Sequence, residues 1–287
     1  MNIRAHAGAS ETPPELSTAD FEAIANFALR EFGLSLPASK TQLVKSRLAR
    51  RLRALNLPNF AAYRSLLEGP NGQAERNELL SSLTTNVTKF FREIHHFEDL
   101  LRDVMPQLVA RACQGERVRI WSAGCSSGQE PYSIALTALK CHPDIATKNF
   151  KILATDIDPS IIVKAREATY RDDEIAAVDK KIFRVSDIVR SVQVKEGCFT
   201  VSKDVRSLVT FGVLNLIEEL PFNGAFNVIF CRNVAIYFNR ETQQSVWSRF
   251  SSLLPSGGKL FIGHSERIMR ADQPKLEPCG VTVYKKL

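Results

Sequence analysis

Apolar side chains return along this chain in two rhythms. Up to about residue 85 they recur every three or four positions, the period of amphipathic helices; from about residue 111 short apolar runs alternate with helical stretches. The first helix is predicted over 17–32, with Phe21, Ile24, Ala25, Ala28 and Leu29 on one stripe, Ser17 or Thr18 as its cap and Gly33 as its stop. A second follows Pro37 and turns Val44, Leu48, Leu52 and Leu55 to one side. Short helices over 59–68 and 74–83 flank the turn Gly69-Pro70-Asn71-Gly72. Residues 17–85 are expected to form a small helical domain without a strand. Residues 1–16, rich in Ala, Gly and Pro and without periodicity, are expected to be a disordered lead-in.

Residues 82–97 are polar and precede a helix predicted over 94–109, so 86–110 reads as a linker and helix. Asn86 and Thr88 are placed to cap that helix or to meet a ligand, while Phe90 and Phe91 look like core. The second rhythm then predicts strands at 118–122, 150–155, 208–211, 226–231, 259–264 and 281–284, with helices at 130–141, 159–167 and about 240–254. Between about 172 and 207 the alternation drops to two residues, over 185–194 and again over 198–201, with Lys195-Glu196-Gly197 as the turn. The fold class is therefore α/β: a doubly wound, Rossmann-like sheet over 111–287, with an inserted antiparallel β-subdomain and a small all-α domain before it.

The chemistry is expected where the first strand ends. Val118, Ile120 and Trp121 lead into G-C-S-S-G (124–128), and Pro131 fits the first turn of the helix that follows. Strand, glycine loop and helix is how an open α/β sheet builds a nucleotide-type site. The loop is not G-x-G-x-x-G, so the dinucleotide fingerprint is absent. Instead Glu130 stands at the helix start and Asp156 ends the second strand. Carboxylates there repel a pyrophosphate, suit a cationic group and can accept ribose hydroxyls. Adenosine with a cationic amino-acid tail is S-adenosylmethionine. A nicotinamide Rossmann domain or an ordinary strand–helix turn remains open on this loop alone, but the hairpin-like final pair of strands favours a methyltransferase sheet.

Composition narrows the setting. The chain has 287 residues, 44% hydrophobic and 24% charged, which fits a globular protein of one large and one smaller domain. No apolar run approaches the ~18 residues of a membrane helix, and no signal sequence opens the chain, so a cytoplasmic protein is expected. The six cysteines show no C-x-x-C pair and no metal spacing, and most read as reduced core residues. The adjacent His95 and His96 are expected to point in different directions, so no metal site is expected. The net charge of +7 implies an acidic partner. Arg47, Arg50 and Arg53 share one arc of the second helix, with Lys40, Lys45 and Arg51 at its flanks and no acid between them. That face is either merely solvated or a docking surface. It carries no interleaved aromatics, which argues against single-stranded nucleic acid.

The motifs T-N-V-T-K-F-F-R-E, W-S-A-G-C-S-S-G-Q-E-P-Y-S, A-T-D-I-D, N-L (215–216), F-C-R-N-V-A-I-Y-F and G-G-K-L-F-I-G-H-S-E stand in this order. From about residue 17 onward the chain resembles the bacterial chemotaxis receptor methyltransferases, the CheR family, which are S-adenosylmethionine-dependent protein-glutamate O-methyltransferases. The resemblance implies that Asn86, Thr88, Arg92, Glu130, Asp156, Asn215, Leu216, Arg232 and Asn233 surround the cofactor. It places Glu130 near the methionine amino group and Asp156 on the ribose. It also implies that Arg92 and Tyr237 face the transferred methyl and the incoming glutamate. The implied partners are the cytoplasmic regions of transmembrane chemoreceptors, met by Arg47, Arg50 and Arg53, with neither nucleic acid nor membrane insertion. The inserted region, 183–205, resembles the family only loosely. A nucleic-acid methyltransferase would need an N/D-P-P-Y-type loop, which F-C-R-N-V-A-I-Y-F is not. A catalytically silent cofactor-binding regulator would be expected to lose some of these residues. The same chemistry on a receptor of a non-flagellar pathway is left open.

Overall fold

The structure, a computed structural model, describes residues 15–176, 192–195 and 197–287. The chain divides into two compact units, Met1–Thr85 and Asn86–Leu287. The disordered lead-in expected for 1–16 lies, up to residue 14, outside the described residues, as do 177–191 of the expected β insertion.

The described part of the first unit is all helical: α1 (Thr18–Phe32), a 3-10 turn (Ala38–Lys40), α2 (Thr41–Ala54), α3 (Phe60–Glu68) and α4 (Gln73–Leu83). Local chemistry sets the ends. Ser17 Oγ accepts the Asp20 N–H at 3.1 Å and Asn59 Oδ1 the Ala62 N–H at 2.9 Å, each satisfying a donor the helix itself leaves open. Gly33 closes α1 in the left-handed region at φ 74°. Phe21, Ile24, Val44, Leu48, Phe60, Tyr63, Leu79 and Leu80 are buried. Leu55, expected on the buried side of α2, is only half-buried, because α2 ends at Ala54.

In the second unit the helix predicted over 94–109 is interrupted. It runs as α5 (His95–Asp99), a π segment (Leu100–Val104) and α6 (Met105–Cys113). Pro106 has no N–H to continue the α ladder, so the hydrogen-bond step widens just before it. There follow β1 (Val118–Ala123), α7 (Gln129–Cys141), β2 (Phe150–Asp156), α8 (Pro159–Glu167), β3 (Thr169–Arg171), α9 (Asp172–Ala176), β4 (Val192–Lys195), β5 (Cys198–Val201), α10 (Lys203–Ser207), β6 (Val209–Val213), β7 (Val228–Cys231), α11 (Arg240–Leu253), β8 (Lys259–Ile262), β9 (Leu276–Gly280) and β10 (Val283–Lys286).

Seven strands form one sheet in the order β6-β2-β1-β7-β8-β10-β9. The pairs β6–β2, β2–β1, β1–β7 and β7–β8 are parallel, and β10 runs antiparallel to both β8 and β9. The central strands are buried on both faces, so side chains alternate between two cores. Val118, Ile120, Phe150, Ile152, Val228, Phe230 and Phe261 belong to one, and Trp121, Ala123, Ile229, Cys231, Leu260 and Ile262 to the other. A separate antiparallel sheet, β3-β5-β4, is the inserted subdomain, with Gly197 at φ 74° in the turn between β4 and β5. The stretch 203–207, expected within that β region, is helical, because Ser202 caps it.

Candidate functional site

From β1 the chain runs outward to β2 and β6, then crosses back to β7 and β8 on the other side. The crevice beyond the carboxyl ends of β1 and β7 is thus the topological switch point, where open α/β sheets bind ligands. The glycine loop after β1 opens on it. Gly124 (φ 85°) and Gly128 (φ 97°) both need glycine, and the reason is packing: an added Cβ would lie 2.2 Å from Val234 Cγ2 at the first and 2.8 Å from the Tyr170 hydroxyl at the second. The loop's amides face the protein. Gly124 N–H and Cys125 N–H donate to the Thr155 carbonyl (2.8 and 2.9 Å), Gly128 N–H to the Cys125 carbonyl (3.1 Å) and Ser126 N–H to Asp156 Oδ2 (2.8 Å).

Asp156 is buried, and burial raises its pKa against the pull of neighbouring N–H groups. Its Oδ1 accepts the Asp158 N–H at 3.1 Å. An ionised carboxylate offers about four acceptor sites, and these two bonds leave room for a diol. Asp158 is the N-cap of α8, accepting the Ser160 N–H at 2.8 Å. The Leu214 N–H donates to the Asp156 carbonyl at 2.9 Å, which ties the start of the Asn215–Leu216 segment to the tip of β2. Leu216 is buried in the same core as Trp121, and Asn215 Nδ2 donates to Glu218 Oε1 at 3.0 Å.

Glu130, expected to face a cationic ligand, is buried and accepts two bonds within the protein: Ser122 Oγ donates to Oε1 at 2.7 Å and Arg232 Nη1 to Oε2 at 3.1 Å. Burial raises its pKa, and the Arg232 guanidinium opposes that shift. Arg232 is itself an anchor, its side chain 2% exposed. Its Nη2 donates to the Arg92 carbonyl and lies 3.3 Å from Glu93 Oε2. Buried charges persist only when paired in this way. Burial pushes the Glu93 carboxyl up, but Arg232 and a 2.8 Å bond from His264 Nδ1 outweigh it and bring it down to about 2.

The turn before α5 displays Arg92. Phe91 (φ 52°) and Glu93 (φ 55°) flank it, both in the left-handed region that bulky residues avoid at a cost of ~1–3 kcal/mol each. Three contacts hold the turn: Phe91 N–H to Ser133 Oγ at 2.9 Å, Phe91 packed edge-on against Phe97 at 5.2 Å, and Arg232 on the Arg92 carbonyl. The Arg92 side chain is half-buried, with Nη1 on the Val87 carbonyl at 3.0 Å. Asn86 accepts Ser126 Oγ–H on its carbonyl at 3.0 Å, so the start of this segment rests on the glycine loop. Thr88, half-buried, lies between the two attachments.

The turn after β7 is organised by a residue given no role in the sequence reading. Buried Glu266 accepts four backbone N–H groups: Gly263 (2.5 Å) and Asn233 (3.1 Å) on Oε2, Val234 (3.0 Å) and Ile236 (3.3 Å) on Oε1. These bonds hold Asn233 at φ 60° and set up the 3-10 turn Ala235–Tyr237, which presents the half-buried Tyr237. The signal was the final acid of G-H-S-E, an acid just after a buried strand.

Residues 86–285 match the family described as CheR methyltransferase, SAM binding domain, and residues 19–84 match CheR methyltransferase, all-alpha domain. The probable chemotaxis protein methyltransferase of Rhizobium etli is 48% identical over 253 residues, 88% of this chain and 94% of that protein. The chemotaxis protein methyltransferases of Escherichia coli and Borreliella burgdorferi are 40% and 39% identical, covering 94% and 89% of this chain and 91% and 89% of their own. The chain belongs to the CheR methyltransferase family. It is a methyltransferase that uses S-adenosylmethionine.

The site of this CheR chain fits that donor. Four loop amides are spent on the protein, so the loop presents no nest of N–H groups to a pyrophosphate, while Asp156 keeps acceptor capacity at the tip of β2. Among the residues singled out in the sequence, the backbone or side chains of Asn86, Arg92, Glu130, Asp156, Arg232 and Asn233 are joined by the bonds above into two linked turns and the glycine loop. Among the described residues no helix is long and apolar enough to cross a membrane.

The basic arc of the helical unit is less uniform than its spacing implied. Arg50 and Arg53 are exposed. Arg47 is not a free docking residue: its Nη1 lies 3.0–3.2 Å from the carbonyls of Ser82, Leu83 and Thr84, where it caps the end of α4. Arg51 forms a two-pronged pair with buried Glu75 (3.0 and 2.6 Å), which also accepts the Tyr63 hydroxyl at 2.8 Å. The acids missing from α2 are supplied by α4.

Two other expectations are corrected. All six cysteines are free, but only Cys125 and Cys231 are buried. The adjacent histidines do not diverge: their rings lie 4.2 Å apart, and both turn toward Glu93.

Proposed function

We propose that this chain methylates glutamate side chains on the cytoplasmic helices of bacterial chemoreceptors, giving glutamate methyl esters in chemotactic adaptation. The reading is carried by Arg92: its main chain is fixed by the buried Arg232 and by Ser133 on the Phe91 N–H, while among the described residues its guanidinium spends Nη1 alone, on Val87. A guanidinium so placed suits a planar carboxylate. The names of the relatives, chemotaxis protein methyltransferases, support the same substrate class. The protein is then expected in the cytoplasm, where receptor signalling helices lie.

S-adenosylmethionine supplies a methyl group on a cationic sulfur, which makes that carbon electrophilic. The residues of the chain bind and orient. Asp156 accepts the ribose hydroxyls, the Asn215–Leu216 segment lines the adenine side, and Asn86, Thr88 and Asn233 close the remaining walls. Glu130 acts through Arg232: it holds one arm of the guanidinium, whose other arm fixes the turn of Arg92, while Glu266 fixes the turn of Asn233. Arg92 orients the incoming glutamate, and Tyr237 hydrogen-bonds to it. A glutamate of pKa ~4.3 is already ionised at neutral pH, so no general base is required. Alignment does the work, and in favourable cases it contributes ~7–11 kcal/mol. In the helical unit, residues 17–85, exposed Arg50 and Arg53 steer toward acidic receptor helices.

The test is incubation with methyl-labelled S-adenosylmethionine and membranes containing candidate receptors. Base-labile methyl esters on the receptor are the expected product. Base-stable label, or label on nucleic acid, would overturn the assignment.

A further inference from the structure

One cluster of side chains has no part in the reading above. One ligand atom from each of Glu93, His95 and His96 lies within 4.8 Å of the other two. Seven buried side-chain nitrogen or oxygen atoms among the described residues lack a hydrogen-bond partner, and Glu93 Oε2, His95 Nε2 and His96 Nδ1 are three of them. Buried polar atoms almost always have a partner; the two imidazole nitrogens have none and Glu93 Oε2 has only the ion pair to Arg232 at 3.3 Å, so together they mark a position that something fills.

The character of that filler follows from the lone pairs. His96 Nε2 lies 3.0 Å from the Val281 carbonyl and 2.9 Å from Thr282 Oγ1, and the Thr282 hydroxyl already donates to the same carbonyl at 2.8 Å. Both neighbours of Nε2 are acceptors, so Nε2 carries the ring proton and Nδ1 is a bare lone pair. An imidazole whose outer N–H is held by a main-chain carbonyl is how proteins orient a metal ligand. Glu93 Oε2 is a carboxylate oxygen, an acceptor by nature. Two imidazole nitrogens and one carboxylate oxygen select zinc-like ions over magnesium or calcium. Glu93 Oε2 and His96 Nδ1 are 3.6 Å apart. Ligand atoms around a tetrahedral zinc, bonded at ~2.0–2.1 Å, sit ~3.3–3.5 Å apart, so the pair needs almost no movement.

We propose that Glu93, His95 and His96 form a binding site for a divalent transition-metal ion of the zinc class, clasping the turn that carries Arg92 to the chain at 281–282. The site goes beyond the methyl-transfer reading and does not depend on it. It is expected to be weaker than a four-ligand structural zinc site. The Arg232 guanidinium, 3.3 Å from Glu93 Oε2, competes for that oxygen, and Glu130 on its other arm offsets only part of the repulsion.

The test uses the untagged, metal-free full chain titrated with zinc sulfate against a chromophoric chelator, and separately with cobalt(II). The expected result is one saturable zinc equivalent, a raised melting temperature, and a visible cobalt spectrum of low coordination number with nitrogen and oxygen ligands. His95 is only half-buried, so His95→Gln keeps the fold and is expected to weaken zinc binding at least ~10-fold. His142→Gln, outside the cluster, leaves it unchanged. His96→Gln is the second variant, read by cobalt spectrum together with circular dichroism. No saturable binding below ~1 mM, or binding that His95→Gln leaves intact, would overturn the proposal, and the three lone pairs would then face a water molecule.

Discussion

Replacing Glu266 by glutamine changes one atom in a buried carboxylate and tests what shapes the turn after β7. The carboxylate accepts two backbone N–H groups on each oxygen, from Gly263 and Asn233 and from Val234 and Ile236. A glutamine keeps one oxygen. Whichever way its amide is turned, the NH2 end faces two N–H donors and can accept neither. Hydrogen bonds to a charged group contribute ~1.5–3 kcal/mol each, so losing two costs about 3–6 kcal/mol. Burial pushes the Glu266 carboxyl up, but four converging donors require acceptor oxygens, so the ionised form is the one the turn is built around. The cost falls on the segment that holds Asn233 at positive φ and presents Tyr237. In native-state hydrogen exchange, the Gly263, Asn233, Val234 and Ile236 amides of Glu266→Gln are expected to exchange at least ~100-fold faster than those of the parent. Affinity for S-adenosylhomocysteine, by calorimetry, is expected to fall with them. Unchanged protection at these four amides would refute the reasoning, because the turn would then hold its shape without the carboxylate.

Arg92→Ala is expected to lower receptor methylation by well over tenfold; turnover retained under saturating cofactor would remove Arg92 from the reacting site. The affinity for S-adenosylhomocysteine should fall as pH is lowered. Burial raises the Asp156 pKa, so protonation that blocks its acceptor role begins above the ordinary ~3.9. The same titration on Asp156→Asn should be weak and flatter with pH, and an identical pH profile would rule Asp156 out as the ribose acid. Arg50→Glu with Arg53→Glu should raise KM for receptor membranes and leave cofactor affinity unchanged. Added salt should mimic it in the parent by screening exposed charge. Equal effects on substrate and cofactor would count against docking on that face.

Much of the scaffold was legible because its signals are local. Ser17, Gly33 and Asn59 mark helix ends through bonds to residues three to five positions away, and Pro159 opens α8 where its missing N–H costs nothing. The places of Asp156 and the glycine loop were legible too, since both stand at the ends of strands that periodicity places. Elements held by distant partners were not. β9, L-E-P-C-G, has no apolar alternation and contains Pro278, which only an edge strand tolerates; pairing with β10 makes it a strand. The π segment depends on how the helix accommodates Pro106, which the apolar spacing of 94–109 does not report.

By itself, then, the sequence determined the two rhythms, the caps, the strand ends and the residue types able to meet an adenosyl donor, because each depends on neighbours a few positions away. Tertiary structure alone decided which charges answer one another. Glu130 finds Arg232 from 102 residues away, Arg47 is turned to the end of α4, and the main chain of 233–236 closes on Glu266. A buried charge takes whichever partner folding brings within about 3 Å, because leaving it unpaired costs several kcal/mol. No spacing along the chain records that choice.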